Sequence, residues 1–315
     1  MRRFKNIVVG VDLSRRDRLV GKNLNRPASR GYESALQLAK ANHARLHFLS
    51  TLEVSLDAQL GITTARGLGP TLLDEAEDRM RGLVAKANNE GIAATGSVVF
   101  GKSWEEIIRQ VLRGKHDLVV VGTRHLGTLK STLLGSIGIQ LLRKCPCPVW
   151  ISKSRIADGL SSILLANDQT PVGQEAMELA ASLAHHHKAD LQVLHSPQGA
   201  LAGPSYLSAE DGKEIKENIQ LQIEQSGLTR GAQVKVVQRT QFCKAISDHI
   251  DEHRNQLLVL GTQACTGILK MLKRERSERL LSGTPCSLLA LKPESFVSPI
   301  SLDQSDSPAP HIGAA

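Results

Sequence analysis

Short apolar runs alternate with longer amphipathic stretches along the first half of the chain. Runs such as Leu118 to Val121 contain no polar residue, which is typical of strands in a parallel sheet with helices on both faces. We therefore predict an α/β fold with a doubly wound parallel sheet. The runs predict strands at 6–11, 45–52, 93–100, 117–122 and 148–151, and the stretches between them predict helices at 32–42, 72–89, 104–113 and 135–143.

The second half of the chain repeats this order of strands and helices. The segment Asn6–Asp12 matches Ser162–Asp168, and Gly122 and Gly261 end matching apolar runs that lie 139 residues apart. Pro146-Cys147 recurs at the same offset of 139 residues as Pro285-Cys286. Matching segments in the same order indicate a duplication. The repeated runs predict strands at 162–166, 190–195, 233–239, 256–261 and 287–291.

The duplication predicts a domain in each half of the chain. We place the first domain at residues 1–153 and the second at 160–292, with a polar junction between them. A length of 315 residues allows each half its own core. The remaining residues, 293–315, are rich in Ser, Pro and Asp, so we predict a disordered tail there.

Composition and charge narrow the class of protein. Only 3% of residues are aromatic while 41% are hydrophobic, so the cores must be aliphatic, as suits α/β layers. No apolar run is long enough for a signal peptide or a membrane span, so we expect a cytoplasmic protein that does not enter a membrane. The chain contains five cysteines, which is an odd number and a small one for this length, so we expect no disulfide framework.

The basic residues are concentrated in the first half. Residues 1–153 contain 24 Lys and Arg against 13 Asp and Glu, and several of the basic residues lie between Ser14 and Arg30. A basic loop can contact nucleic acid, but no aromatic residues lie among these charges to stack on bases. We expect a solvated loop and no nucleic-acid partner.

The stretch GSVVFGKS, from Gly96 to Ser103, matches the Walker A pattern of phosphate-binding loops. Its middle residues are mostly apolar and continue a predicted strand, whereas a phosphate-binding loop must be free to wrap around its ligand. The following Ser103–Glu106 segment is typical of a capping box, which starts a helix. We predict a strand and a helix cap here, with Lys102 an ordinary surface residue.

A ligand site is better placed at the carboxyl ends of the strands. Ligands of open parallel sheets bind there, where the strand order reverses, which directs attention to Asp12, Leu52 and Gly122. Further along, Gly135 and Ser136 begin a predicted helix whose free N–H groups and dipole favour an anion.

These segments resemble the universal stress protein family across both repeats, from about residue 4 to residue 292. Nucleotide-binding members of that family have a glycine after the fourth strand, two further residues, a second glycine, nine further residues, and then Gly-Ser or Gly-Thr. Here Gly122, Gly135 and Ser136 fit the pattern, and His125 stands at the second glycine. The resemblance implies two tandem Rossmann-like domains of the HUP type.

The resemblance also implies a cofactor, ATP or another adenine nucleotide, and leaves open whether Mg²⁺ accompanies it. Asp12 would contact the adenosine moiety, Thr51 would contact adenine through its backbone, and Thr123 and Arg124 would flank the phosphates. The implied binding residues are Asp12, Thr51, Gly122, Thr123, Arg124, His125, Gly135 and Ser136.

The second repeat keeps less of this pattern. Asp168, Gly261 and Thr262 remain, but Ala264 replaces the second glycine, and Arg274-Glu275 replaces Gly-Ser. Glu275 would place a negative charge where a phosphate should lie. We predict that the second site is degenerate for ATP.

Other candidate sites are weaker. The histidines 185–187 are adjacent on a predicted helix and so point in different directions, and the Cys145-Pro-Cys147 segment lacks the spacing of a zinc or redox pair. We predict no metal site, and no recognisable set of catalytic residues is present.

The function implied is a stress response through binding, with ATP hydrolysis at most slow. Single-domain relatives dimerise through their last strand, so the resemblance implies that the runs at 148–151 and 287–291 pair the two domains within one chain. Two alternatives stay open: an interaction or scaffold protein that binds no nucleotide, and an adenylyl-transferring enzyme of related fold. Any protein partner stays unidentified.

Overall fold

The structure, a computed structural model, describes residues 3–13, 24–53, 72–123, 135–153, 159–167, 170–195, 209–226, 232–237, 242–261, 285–302 and 312–313. The described residues fall into two compact units. One contains those up to residue 153 together with 297–302 and 312–313, and the other contains those from 159 to 296.

The first unit alternates strands with helices along a parallel sheet. The strands lie in the order β3-β2-β1-β4-β5, so the order reverses between β1 and β4. The elements are β1 (Asn6–Gly10), α1 (Arg26–Asn42), β2 (Arg45–Leu52), α2 (Leu72–Asn89), β3 (Ala94–Phe100), α3 (Ser103–Gly114), β4 (Leu118–Gly122), α4 (Ser136–Lys144) and β5 (Val149–Ser152).

The second unit has the same parallel arrangement. Its strand order is β8-β7-β6-β9-β10, which is the order of the first unit with each strand replaced by its counterpart. The elements are β6 (Ser162–Asn167), α5 (Pro171–His187), β7 (Asp190–His195), α6 (Ala209–Gln225), β8 (Gln233–Val236), α7 (Phe242–His253), β9 (Leu257–Gly261) and β10 (Ser287–Leu291). The predicted α/β class and the repeated doubly wound sheet are confirmed.

Aliphatic side chains fill both cores. Residues 118–121 of β4 and every residue of β9 and β10 are buried, as expected for strands with helices on both faces. Aromatic side chains contribute little beyond a few residues such as Phe4, Phe48 and Trp150.

Helix α1 begins at Arg26, well before the predicted start at residue 32. The side chain of Asn25 caps the helix by accepting a hydrogen bond from the N–H of Ala28 at 2.9 Å, and Pro27 lies in the first turn. Both residues are ordinary helix-start signals. Periodicity missed them because the first turn contains few apolar residues.

The chain after β10 contains no helix or strand from 293 to 302. Further on, Ile312 forms an antiparallel bridge with Gly96 of β3. Residues 303–311 lie outside the described part, where the predicted disorder stays a prediction. Among the residues described, no helix is long and apolar enough to cross a membrane.

Candidate functional site

Three of the predicted site residues lie in one row at the carboxyl edge of the first sheet. Gly10 of β1 is paired with Leu49 of β2 on one side and with Val121 of β4 on the other. Asp12 lies two residues after Gly10, and likewise Thr51 and Thr123 lie two residues after Leu49 and Val121. The row therefore crosses the point between β1 and β4 where the strand order reverses, which is where ligands of such sheets bind.

Asp12 is held at the beginning of α1. The N–H of Val11 donates to the carbonyl of Leu49 at 2.8 Å, which continues the strand pairing up to the aspartate. Asn25, the cap of α1, donates through Nδ2 to Asp12 Oδ2 at 3.4 Å. The carboxylate thus lies beside a helix N-terminus, where the helix dipole favours negative charge.

Thr123 directly follows β4 and is buried, with 2% of its surface exposed. Its hydroxyl oxygen has no hydrogen-bond partner in the described part of the chain. Leaving a buried hydroxyl unsatisfied costs about 1–3 kcal/mol, so such a group calls for an explanation. A ligand at the crevice would supply the missing partner.

Gly122, which ends β4, lies against the backbone of α1. A Cβ atom added at Gly31 would come within 2.9 Å of the Gly122 nitrogen, so glycine at position 31 lets helix and strand approach this closely. The close approach fixes the direction in which the chain leaves β4. It thereby positions Thr123 as well.

Glu53, which the sequence analysis did not single out, holds the beginning of α3. Its Oε1 accepts from the N–H of Ser103 at 2.9 Å and from the Ser103 hydroxyl at 2.7 Å. The Thr51 hydroxyl lies 2.6 Å from that of Ser103. Because the Ser103 proton is directed to Glu53, Thr51 is the donor in this contact. The side chain of Thr51 is thus engaged with α3, which leaves its backbone for the predicted contact with adenine.

The Walker-like stretch does not form a phosphate-binding loop. Residues 96–100 belong to β3 and pair with β2, and Lys102 is the exposed N-cap residue of α3 with its Nζ 3.4 Å from Glu105 Oε1. A phosphate at this helix start would meet the carboxylate of Glu53. The prediction that this segment is a strand and a helix start is confirmed.

The predicted capping box at this helix start is wrong. Lys102 is the N-cap, so Ser103 is already the first helical residue, and its hydroxyl bonds to Glu53. The side chain of Glu106 pairs instead with Arg109. At this helix start, Glu53, which is distant in sequence, makes the contact that the capping box assigned to Glu106.

Within the described part of the chain, no carboxylate caps the start of helix α4. Its N-cap is Gly135, no side chain caps it, and its first turn holds no acidic residue. The other described helix starts of this unit each have a carboxylate nearby: Asp12 through Asn25 at α1, Asp74 and Glu75 at α2, and Glu53 at α3. A Cβ atom added at Gly135 would meet nothing within 4 Å, so the protein's own packing does not require glycine there.

Several predicted residues cannot be placed. Arg124 and His125 of the first repeat lie outside the described residues, as do Asp168, Thr262, Ala264, Arg274 and Glu275 of the second. Within the described ranges, no group of three or more His, Cys, Asp or Glu could hold a metal ion.

Cys145 and Cys147 lie close together and are buried, with their sulfurs 3.6 Å apart. The hydrogen bond to Cys145 and burial raise the pKa of the Cys147 thiol well above its usual range. Because the thiolate is the reactive form of cysteine, this pair fits a structural turn rather than a reactive site.

Comparison with known proteins gives a family match over both units. The model of the universal stress protein family matches residues 3–153 and again residues 160–292. The chain is 24% identical to universal stress protein E of Escherichia coli K12 over 234 residues, which cover 69% of this chain and 74% of that protein. It is 23% identical to the universal stress protein E homolog of Haemophilus influenzae over 316 residues, covering 92% and 98%.

A solved structure shows the same fold. The crystal structure of a universal stress protein from Archaeoglobus fulgidus superposes with a TM-score of 0.64 at 18% identity, covering 91% of this chain and 96% of that one. The crystal structure of Putative Universal Stress Protein from Pseudomonas aeruginosa UCBPP-PA14 gives the same TM-score at 20% identity, covering 92% of this chain and 94% of that one.

Proposed function

The chain belongs to the universal stress protein family and contains two copies of its domain, and from this we propose that the first domain binds ATP or another adenine nucleotide. The observation that carries the proposal is the row of Asp12, Thr51 and Thr123 across the reversal of strand order. In this proposal Asp12 and the backbone of Thr51 hold the adenosine moiety. Thr123 lies on the side of the phosphates.

The unsatisfied hydroxyl of Thr123 supports a polar ligand. It is buried at the end of β4 and has no partner within the described residues, so a phosphate or ribose oxygen would satisfy it. The residues present therefore fit a nucleotide. Arg124 and His125, which follow directly in the sequence, would complete this part of the site.

The phosphates are assigned to the beginning of α4. A helix N-terminus attracts an anion through its free N–H groups and its dipole, but a carboxylate already beside it repels that anion. Asp12 and Glu53 lie at the starts of α1 and α3, whereas the first turn of α4, which follows Gly135, contains no acidic residue. The absence of a side chain at Gly135 also leaves room for a phosphate to approach the backbone.

The nucleotide serves as a bound signal rather than a consumed substrate in this proposal. No catalytic set was recognised in the sequence, and hydrolysis is expected to be slow at most. We place the protein in the cytoplasm, in a stress response. The second domain is proposed to have lost nucleotide binding, because Arg274 and Glu275 replace the Gly-Ser pair.

Pairing of the two domains through β5 and β10 also remains a proposal from the family resemblance. It predicts that residues 1–153, expressed alone, dimerise or aggregate because the edge of β5 becomes exposed. Light scattering measures the mass of this fragment. A stable monomer would contradict the proposed pairing.

The direct test of nucleotide binding is to denature the purified protein and identify small molecules in the supernatant by mass spectrometry. Isothermal titration with ATP, ADP and AMP, each with and without Mg²⁺, then gives affinities and any metal requirement. We expect binding of at least one adenine nucleotide with a stoichiometry of one per chain. If no nucleotide copurifies and none binds at millimolar concentration, the alternative of an interaction protein without a nucleotide is favoured.

A further inference from the structure

Strand β3 forms one edge of the sheet in the first unit. It pairs with β2 on one side, and its other side carries backbone N–H and C=O groups with no neighbouring strand in the sheet order. Such an edge is a template for pairing with another chain, and proteins commonly cover it. The residues that turn their backbone groups to this outer side alternate along the strand, and Ala94 and Gly96 are among them.

The backbone of Ala94 is covered by a side chain of α2. Asn88 accepts from the N–H of Ala94 through Oδ1 at 3.1 Å and donates to its carbonyl through Nδ2 at 3.5 Å. One asparagine thus takes the place of a strand residue. This closes the first outward position of the edge.

The backbone of Gly96 is covered by the C-terminal segment. The N–H of Gly96 donates to the carbonyl of Ile312 at 2.9 Å, and the N–H of Ile312 donates to the carbonyl of Gly96 at 2.7 Å. Two reciprocal bonds of this kind define a hydrogen-bonded antiparallel pair. The tail therefore adds a strand residue to the edge of β3.

The pairing with Gly96 also favours an apolar side chain at position 312. Paired residues of antiparallel strands project to the same face of the sheet. At Gly96 that face is covered by α2, because a Cβ atom added there would lie 2.6 Å from Met80 Cγ. Ile312 therefore lies on the covered face, where an apolar side chain is favoured, and it is half-buried.

The sequence limits how far this pairing can extend. Continued in the same antiparallel register, the tail would set residue 310 opposite Val98, and Pro310 has no N–H to donate. In the other direction Ala94 is already bonded to Asn88. Beyond the pair of Gly96 and Ile312, the tail could therefore accept a bond from Val98 through the Pro310 carbonyl but could not donate one in return. So small a set of bonds is easy to displace.

We propose that the segment containing Ile312 is a replaceable strand that closes the edge of β3, and that a second copy of this chain pairs there through its own β3 when the segment is absent. The tail would then control self-association of the protein. The proposal rests on the backbone contacts of Gly96 and does not depend on nucleotide binding.

The test compares the full chain with a chain ending at Leu302 and with the Ile312→Pro variant, which keeps the tail but removes its N–H. Gln304→Pro is the matched control, since it adds a proline to the same tail outside the bridge. Amide hydrogen exchange at Gly96, followed at a low concentration at which the copies do not associate, reports the bridge directly. Light scattering over a range of concentrations reports the mass. Thermal unfolding checks that each variant is folded.

In the truncated chain we expect the Gly96 amide to exchange about tenfold faster or more, because its acceptor, the carbonyl of residue 312, is lost. Ile312→Pro keeps this carbonyl but removes the N–H that donates to Gly96, so the bridge is weakened and the Gly96 amide should also exchange faster, though by less than in the truncated chain. We also expect a larger mass at high concentration than for the full chain and for Gln304→Pro. Adding a peptide of residues 308–315 should slow the exchange again. Unchanged exchange at Gly96 in the truncated chain overturns the proposal, and faster exchange with an unchanged mass rejects the pairing with a second copy.

Discussion

His47 and Gln192 hold the same position in the two repeats, and each is the centre of a buried polar cluster. His47 is the third residue of β2 and bonds to the hydroxyls of Thr95 and Ser97, both at 2.9 Å. Gln192 is the third residue of β7, and its Oε1 bonds to His249 and Asn255, both at 2.8 Å. Each cluster lies toward the amino ends of the strands of its own sheet.

The neighbours of these two residues also correspond. His116, whose ring centroid is 5.9 Å from that of His47, precedes β4 as Asn255 precedes β9. Gln110 lies 3.2 Å from His116 and occupies the place in α3 that His249 occupies in α7. At each of these three contacting positions, one repeat has a histidine where the other has an asparagine or glutamine. Both repeats nevertheless keep a hydrogen-bonded cluster.

The first prediction concerns stability in acid. Burial lowers the pKa of His116 to about 4. The hydrogen bond to the carbonyl of Asn6 acts against this shift, and the positive charge of Arg45 adds to it. The unfolded chain takes up this proton near pH 6.5 and the folded chain does not, so the free energy of unfolding should fall as the pH drops. The loss should reach about 3 kcal/mol by pH 4.

Urea unfolding at a series of pH values measures this loss. His116→Asn, which copies Asn255, should make the dependence between pH 6.5 and 4 shallower, since this buried imidazole is no longer present to be protonated. His43→Asn, at an exposed helix end, serves as the matched control for the same replacement at the surface. Equal pH dependence in His116→Asn and the unmodified protein would contradict the assignment.

The second prediction concerns the beginning of α4. Gly135→Arg combined with Ser136→Glu, which copies the second repeat, should abolish ATP binding because a carboxylate and a bulky side chain replace an open anion site. Titration calorimetry measures the affinity, and circular dichroism verifies the fold. An ATP affinity equal to that of the unmodified protein would show that the phosphates bind elsewhere.

The third prediction concerns Lys102. Its side chain is 72% exposed and lies beside Glu105, so Lys102→Ala should change ATP affinity by no more than about threefold. The same calorimetric titration provides the measurement. A loss of a hundredfold would revive a phosphate role for the Walker-like stretch.

The fourth prediction separates a ligand role of Thr123 from a structural one. Thr123→Val replaces an unsatisfied hydroxyl with a methyl group of similar size, so the ligand-free protein should gain about 1 kcal/mol in unfolding free energy. Its ATP affinity should fall about tenfold, since the ligand loses a hydrogen bond. A destabilised variant with unchanged affinity would mean that the hydroxyl serves the fold alone.

The sequence predicts what depends on neighbouring residues along the chain. The strands follow from uninterrupted apolar runs such as residues 118–121, and their repetition in the same order predicts the duplicated sheet. The rule that ligands bind at the carboxyl ends of parallel strands led to Asp12, Leu52 and Gly122, whereas Thr51 and Thr123 came from the family resemblance. Local pattern and general topology thus indicated the edge of the sheet but not these two residues.

Contacts between distant segments could not be predicted in this way. Glu53 and Ser103 are 50 residues apart and meet only because β2 lies beside β3, so sequence reasoning assigned the helix start to a local capping box. The bridge between Gly96 and Ile312 joins segments even farther apart. In both pairs, the residues around each member form no local sequence pattern that would indicate which distant residue it contacts.

The exchanged clusters around His47 and Gln192 have a consequence for how this family varies. Two copies of a duplicated domain begin identical, so the present differences arose by substitution at positions that touch one another. A single substitution leaves a buried donor or acceptor unpaired at a cost of about 1–3 kcal/mol, which disfavours each change made alone. We therefore expect these positions to covary among relatives, so that coordinated replacement, rather than invariance at any one site, would reveal the cluster in an alignment.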